Sequence, residues 1–181
     1  SLQFLTLGFA TVAINAGCVT LVELEVKHRP LIFGCLALAF LPIFIMLGAA
    51  LNNDVMALML YLLAALYTIR WQRVPSYSNL LAIAVSFGLG MLTKQSTVLI
   101  APAIAAIFLW TAWHDRRAMG RYLSQFVLFL AVVVPLSLAW AVRNHLLYGI
   151  SPTYVPAQDV SQYVGDHTVF ARLLPFHHVG L

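Results

Sequence analysis

The chain has 181 residues, 62% of them hydrophobic and only 9% charged, with a mean hydropathy of +0.90. Soluble domains carry roughly 25% charged residues, so a water-soluble globule is excluded and lipid has to cover most of the surface. The sequence pI near 9.3 raises nucleic acid as a partner, but the basic residues cap apolar runs and are not interleaved with aromatics on one face, which argues against it.

A spanning helix needs about 20 apolar residues. The first run, Leu2 to Val22, ends at the polar stretch Glu23 to Arg29. It has neither a basic leader nor a small-residue cleavage site and so reads as a span, not a signal peptide. Pro30 opens a second run that continues to Leu51, with a bend expected at Pro42. Cys18 and Cys35 sit inside these runs without metal-ligand spacing and read as small hydrophobes. Asn52-Asn53-Asp54 then interrupts. A third run, Val55 to Ile69, ends at Arg70-Trp71-Gln72-Arg73, and Val74 to Ser78 reads as a turn around Pro75.

The stretch Asn79 to Trp113 must break, because as one helix it would exceed about 50 Å against a hydrocarbon core of about 30 Å. Its one polar interruption is Thr93-Lys94-Gln95-Ser96. The half before Lys94 would reach only about 22 Å, so Lys94 is expected to sit recessed, with Gly88 and Gly90 suited to close packing beside it. The other half ends in Trp110, Trp113 and His114-Asp115-Arg116-Arg117, an interfacial belt followed by charge. A sixth run, Tyr122 to Val142, carries Pro135 and ends at Arg143-Asn144-His145. Gly149 to Gly165 reads as a polar loop and Thr168 to Phe176 as an interfacial helix. The expectation is an all-α polytopic membrane protein of about six spans, with a transmembrane region over 1–145 and an extracytoplasmic segment over 146–181.

Seven of the ten Lys and Arg residues fall in three clusters, Lys27/Arg29, Arg70/Arg73 and Arg116/Arg117/Arg121. The positive-inside rule puts these clusters on the cytoplasmic side, and with them both termini outside. The outer segments then hold Asp54, Lys94 and Arg143. Asp54 can cap its helix or bind a ligand, and Asn53 beside it adds an amide. An ionised group at membrane depth costs about 2.5–3.5 kcal/mol and usually faces a functional cavity, which points to Lys94, with Gln95, Ser96 and Thr97 as neutral donors nearby. Arg143 can end a helix favourably or grip a phosphate with its planar fork. His145, His167, His177 and His178 have no helical pairing with a carboxylate, so no protein metal site is assigned. Two cations on one surface suit an anionic lipid headgroup or a lipid phosphate, and the carboxylate can bind a sugar hydroxyl, a metal or an acceptor.

Gly48-Ala-Ala-Leu-Asn-Asn-Asp54, Gly88-Leu-Gly-Met-Leu-Thr-Lys94 with Pro102 downstream, and Arg143-Asn-His-Leu-Leu-Tyr-Gly149 together resemble the GT-C superfamily of lipid-carrier-dependent glycosyltransferases. Within it the chain is most similar to bacterial members of the dolichyl-phosphate-mannose:protein mannosyltransferase-like group, which includes the aminoarabinose transferases of lipid A. The resemblance implies inverting transfer of a sugar from a polyprenyl-phosphate donor to a glycan, lipid or protein acceptor outside the cytoplasmic membrane. By the family pattern Lys94 and Arg143, with Asn53 and Gln95, would meet the carrier phosphate, and Asp54 would be a secondary acidic residue. No cofactor is firmly implied; a divalent metal is compatible with the carboxylate. The family's principal acidic motif lies in a first outer loop upstream of the residues matched, so the general base is expected outside this chain, which reads as an inactive fragment of a larger enzyme. A transporter or flippase with the same charges along a path is the alternative, and a scaffold subunit a third.

Overall fold

The computed structural model describes residues 2–41 and 53–148, which are helical between short turns. The helices are α1 (Leu2–Glu23), α2 (His28–Phe40), α3 (Asn53–Arg73), α4 (Tyr77–Thr93), α5 (Ala101–His114) and α6 (Met119–Tyr148). Short 3-10 segments at Gln95–Ile100 and Arg116–Ala118 lead into α5 and α6. Among the described residues four stretches are long and apolar enough to cross a membrane: Gln3–Glu23, Asn53–Arg73, Gln95–His114 and Arg116–Ala139. The protein is thus an all-helical, polytopic membrane protein. The other two expected spans correspond to shorter apolar helices, α2 with 13 residues and α4 with 17. Pro42, the 149–165 loop and the helix expected at Thr168–Phe176 lie outside the described residues.

Two helix ends differ from the sequence expectation. The third run does not stop at Ile69, because Arg70, Trp71, Gln72 and Arg73 continue α3. Nothing in those residues breaks a helix, and the chain leaves helical geometry only just before Pro75. The sixth run passes Arg143 and the boundary at residue 145, ending at Tyr148, with Pro135 accommodated inside it.

Polar side chains inside the helices bond back to their own backbone, as a hydrocarbon environment requires. Thr11, Thr20, Thr68 and Thr93 donate to the carbonyls of Leu7, Ala16, Ala64 and Leu89 at 2.9, 2.7, 2.6 and 2.8 Å. Small residues mark the helix contacts: Ala10, Ala13 and Ala16 are buried on α1, and Ala57 and Ala64 on α3. α3 lies between α1 and α4, α2 flanks α1, and α6 runs along the far side of α4.

At the end bearing the basic clusters, α1 and α3 are tied by Arg70 Nε to Glu23 Oε1 at 2.7 Å and by Arg73 to both Glu23 and Glu25. A second knot joins α3, the turn and α6. Trp71, 1% exposed, stacks on Phe108 with ring centroids 4.8 Å apart, and its Nε1 donates to Gln125 Oε1 at 3.2 Å. Gln125 is fully buried and its amide donates in turn to the Pro75 carbonyl at 3.3 Å, which also receives Arg121 Nη2 at 2.8 Å. Gln125→Leu keeps the bulk but leaves the Trp71 N–H unpaired, so it should destabilise the protein by about 1–3 kcal/mol. Unfolding in mixed micelles against added SDS measures this; an unchanged midpoint would show that the knot contributes nothing.

Candidate functional site at the broken helix

The polar site is built where α4 stops. Lys94 leaves the helix in extended conformation (φ −155°, ψ 123°), its backbone N–H capping the Gly90 carbonyl at 2.8 Å. The chain then folds back as a 3-10 turn, with the Thr97 N–H on the Lys94 carbonyl at 3.0 Å and Thr97 Oγ1 on the Gly90 carbonyl at 3.0 Å. Thr97 is buried against Gly90 so closely that a Cβ there would lie 2.6 Å from its Cγ2. A glycine at position 90 is therefore what allows the turn to seat. Pro102 stands in the first turn of α5, where its missing N–H costs nothing.

The same end of the bundle holds the start of α3. Lys94 Nζ contacts Asp54 Oδ1 at 2.6 Å, and Asn53 Nδ2 donates to the Thr93 carbonyl, one of the orphan acceptors at the end of α4, at 3.3 Å. Asp54 lies in the first turn of α3, at its positive dipole end, and Lys94 at the negative end of α4, so each charge is favoured by its own helix as well as by its partner. The side chains are 45% and 31% exposed, which makes the pair accessible to an incoming ligand and not part of the core.

The α4–α6 register fixes the level of Arg143. The two helices run parallel: Tyr77 Oη meets Ser124 Oγ at 2.8 Å, an offset of 124 − 77 = 47 residues, and Leu136 faces Gly88, an offset of 136 − 88 = 48. Carried on to Lys94, the register reaches positions 141 to 142, so Arg143 stands within about one turn of it along the bundle. Packed helices lie about 8–10 Å apart, a spacing that two long cationic side chains can close onto one anion. Arg143 is exposed, as are Asn53 and Gln95, the latter opening the 3-10 turn. The structure therefore brings Asn53, Asp54, Lys94 and Gln95 together and sets Arg143 level with them on the neighbouring helix.

Sequence reasoning missed the part played by Thr97, which braces the turn; the signal was a hydroxyl just before an apolar run, seven residues after Gly90. Among the described residues no three His, Cys, Asp or Glu side chains converge on a metal-sized space. A divalent cation held by Asp54 would have to draw its other protein ligands from beyond them.

Residues 7–140 match the model of the dolichyl-phosphate-mannose-protein mannosyltransferase family. The chain belongs to this family. It is a membrane glycosyltransferase by class, as the resemblance implied. No curated protein and no solved structure matches it. The mannosyltransferase-family match begins inside α1, upstream of the motifs named above, and covers Asn53, Asp54, Lys94 and Gln95, while Arg143 falls just past its end.

Because the Asp54–Lys94 pair is open to its surroundings, it should add little to stability. A double-mutant cycle with Asp54→Asn and Lys94→Gln should give a coupling of about 0.2–1 kcal/mol in detergent unfolding. A coupling above about 3 kcal/mol would mean a dry, structural ion pair.

Proposed function

We propose that this end of the bundle binds the phosphate of a polyprenyl-phosphate-linked sugar, and that the enzyme transfers the sugar to an acceptor outside the cytoplasm. The observation that supports the reading most directly is the 2.6 Å contact of Lys94 with Asp54 at a helix broken short of full spanning length. An exposed ammonium held in place by a carboxylate is oriented without being consumed by it. In the reaction the acceptor oxygen attacks the anomeric carbon, the bond from that carbon to the carrier phosphate breaks, and the phosphate leaves with an added negative charge. Lys94 and Arg143 would neutralise that growing charge, the interaction that accelerates the step because it strengthens in the transition state. Asp54 would hold Lys94 and contact a sugar hydroxyl as a secondary acid, with Asn53 and Gln95 as neutral donors. The acceptor's proton would pass to a carboxylate outside the described residues. The extracytoplasmic placement rests on the three basic clusters at the opposite end.

The test is glycosyl transfer by the intact, membrane-inserted protein supplied with a lipid-linked sugar. Lys94→Ala and Arg143→Ala should each lower kcat roughly 10²–10³-fold, as removal of one preorganised donor to a developing anion does, with Lys94→Arg retaining part of the rate. Asp54→Asn should also slow transfer by releasing Lys94. Full activity in all three of Asp54→Asn, Lys94→Ala and Arg143→Ala would sink the assignment.

A further inference from the structure

α5 stands off from its neighbours. Large side chains, and not close helix contact, fill the space between it, α4 and α6, and they leave an apolar slot of about 560 Å³. Trp71, Phe87 and Phe108 form part of its wall, and Leu109, Leu123 and Phe126 stand at its open side, where they are 68%, 63% and 44% exposed. An opening with this lining does not hold water, because ordered water needs polar partners.

We infer that the slot takes one hydrocarbon chain of an anionic phospholipid from the leaflet at the basic end, with the headgroup phosphate on the Arg116–Arg117 turn. Two observations commit it to this occupant. The first is depth. On α5 the lining runs from Ala101 to Ala112, and on α6 from Met119 to Phe129, about 15–17 Å in each case. That is half of a hydrocarbon core of about 30 Å, the depth of a single leaflet, and too short for a crossing helix. The second is charge. The turn joining the two walls carries Arg116 and Arg117, three and two residues before the slot-lining Met119. Arg116 lies over the Trp113 ring at 4.0 Å, while Arg117 is exposed and has no ion pair among the described residues, leaving its fork for a phosphate. Asp115 is the one carboxylate at this turn and accepts a bond from Tyr122 Oη at 3.3 Å; Arg121, the third cation, is held by Pro75. Basic pockets between membrane helices are the established setting for anionic headgroups. The inference does not depend on the transfer reaction proposed above.

The test is fluorescence quenching in vesicles of brominated-acyl phosphatidylglycerol or phosphatidylcholine, using the full protein with Trp71 as its only tryptophan. Trp71 is 1% exposed, so a bromine-bearing chain approaches it closely through the slot and not from the bulk bilayer. Phosphatidylglycerol should quench at a lower mole fraction than phosphatidylcholine. Arg117→Gln should cut that preference roughly fivefold, the equivalent of the ~1 kcal/mol one cation contributes near an anionic surface. Ala105→Phe, which fills the slot and leaves both arginines, should reduce quenching by both lipids. Equal quenching by the two lipids, a preference untouched by Arg117→Gln, or quenching indifferent to Ala105→Phe each overturns the inference, as does the absence of quenching altogether.

Discussion

A lysine ammonium near the hydrocarbon core has to be met, and the way this chain meets Lys94 organises one whole end of the molecule. The counter-charge comes from a helix 40 residues earlier, Asp54 at 2.6 Å, so the start of α3 and the end of α4 are held side by side. The backbone repeats the arrangement, with Asn53 closing on the Thr93 carbonyl. Both bonds run between helix termini, where unpaired backbone groups already favour these charges. The polar break is therefore met by groups of the chain itself, and the ammonium stays reachable.

The two ends of the bundle use charge differently. At the basic end, Arg70, Arg73 and Arg121 spend their donors on Glu23, Glu25 and the Pro75 carbonyl, and a buried Trp71–Gln125 bond fixes α3 against α6. These contacts tie the helices rigidly to one another. At the Lys94 end the charges are fewer and more open, and their shared axial level is inherited from the register that Tyr77–Ser124 and Gly88–Leu136 impose on α4 and α6. The α4–α6 register is thus what sets Arg143 within about one turn of Lys94.

Much of this was legible in the residues. The break at Lys94 follows from counting, because the mostly apolar 35-residue stretch Asn79–Trp113 cannot be one span and Lys94 is its single charged residue. That Asp54 and Lys94 share a surface follows from the alternation of spans. Their contact does not, since hydropathy carries no information on which helices touch. Trp71 was the least legible residue: a tryptophan between two arginines has the look of an interfacial anchor, yet α3 continues through it and turns the ring into the core. Gln125, lodged in an apolar run, was the available clue, because a fully buried amide needs a partner and Trp71 supplies one.

The glycine pair shows how sequence, packing and site are linked. Gly88 lets Leu136 of α6 approach so that a Cβ would sit 3.0 Å from it, and Gly90, two residues further on, admits Thr97. The first contact sets the height of Arg143 and the second the exit path of Lys94. Substitution at position 88 would shift one helix against another, whereas substitution at 90 would alter only the local turn. The two cations are thus positioned by separate devices, one acting through helix register and the other through a local turn.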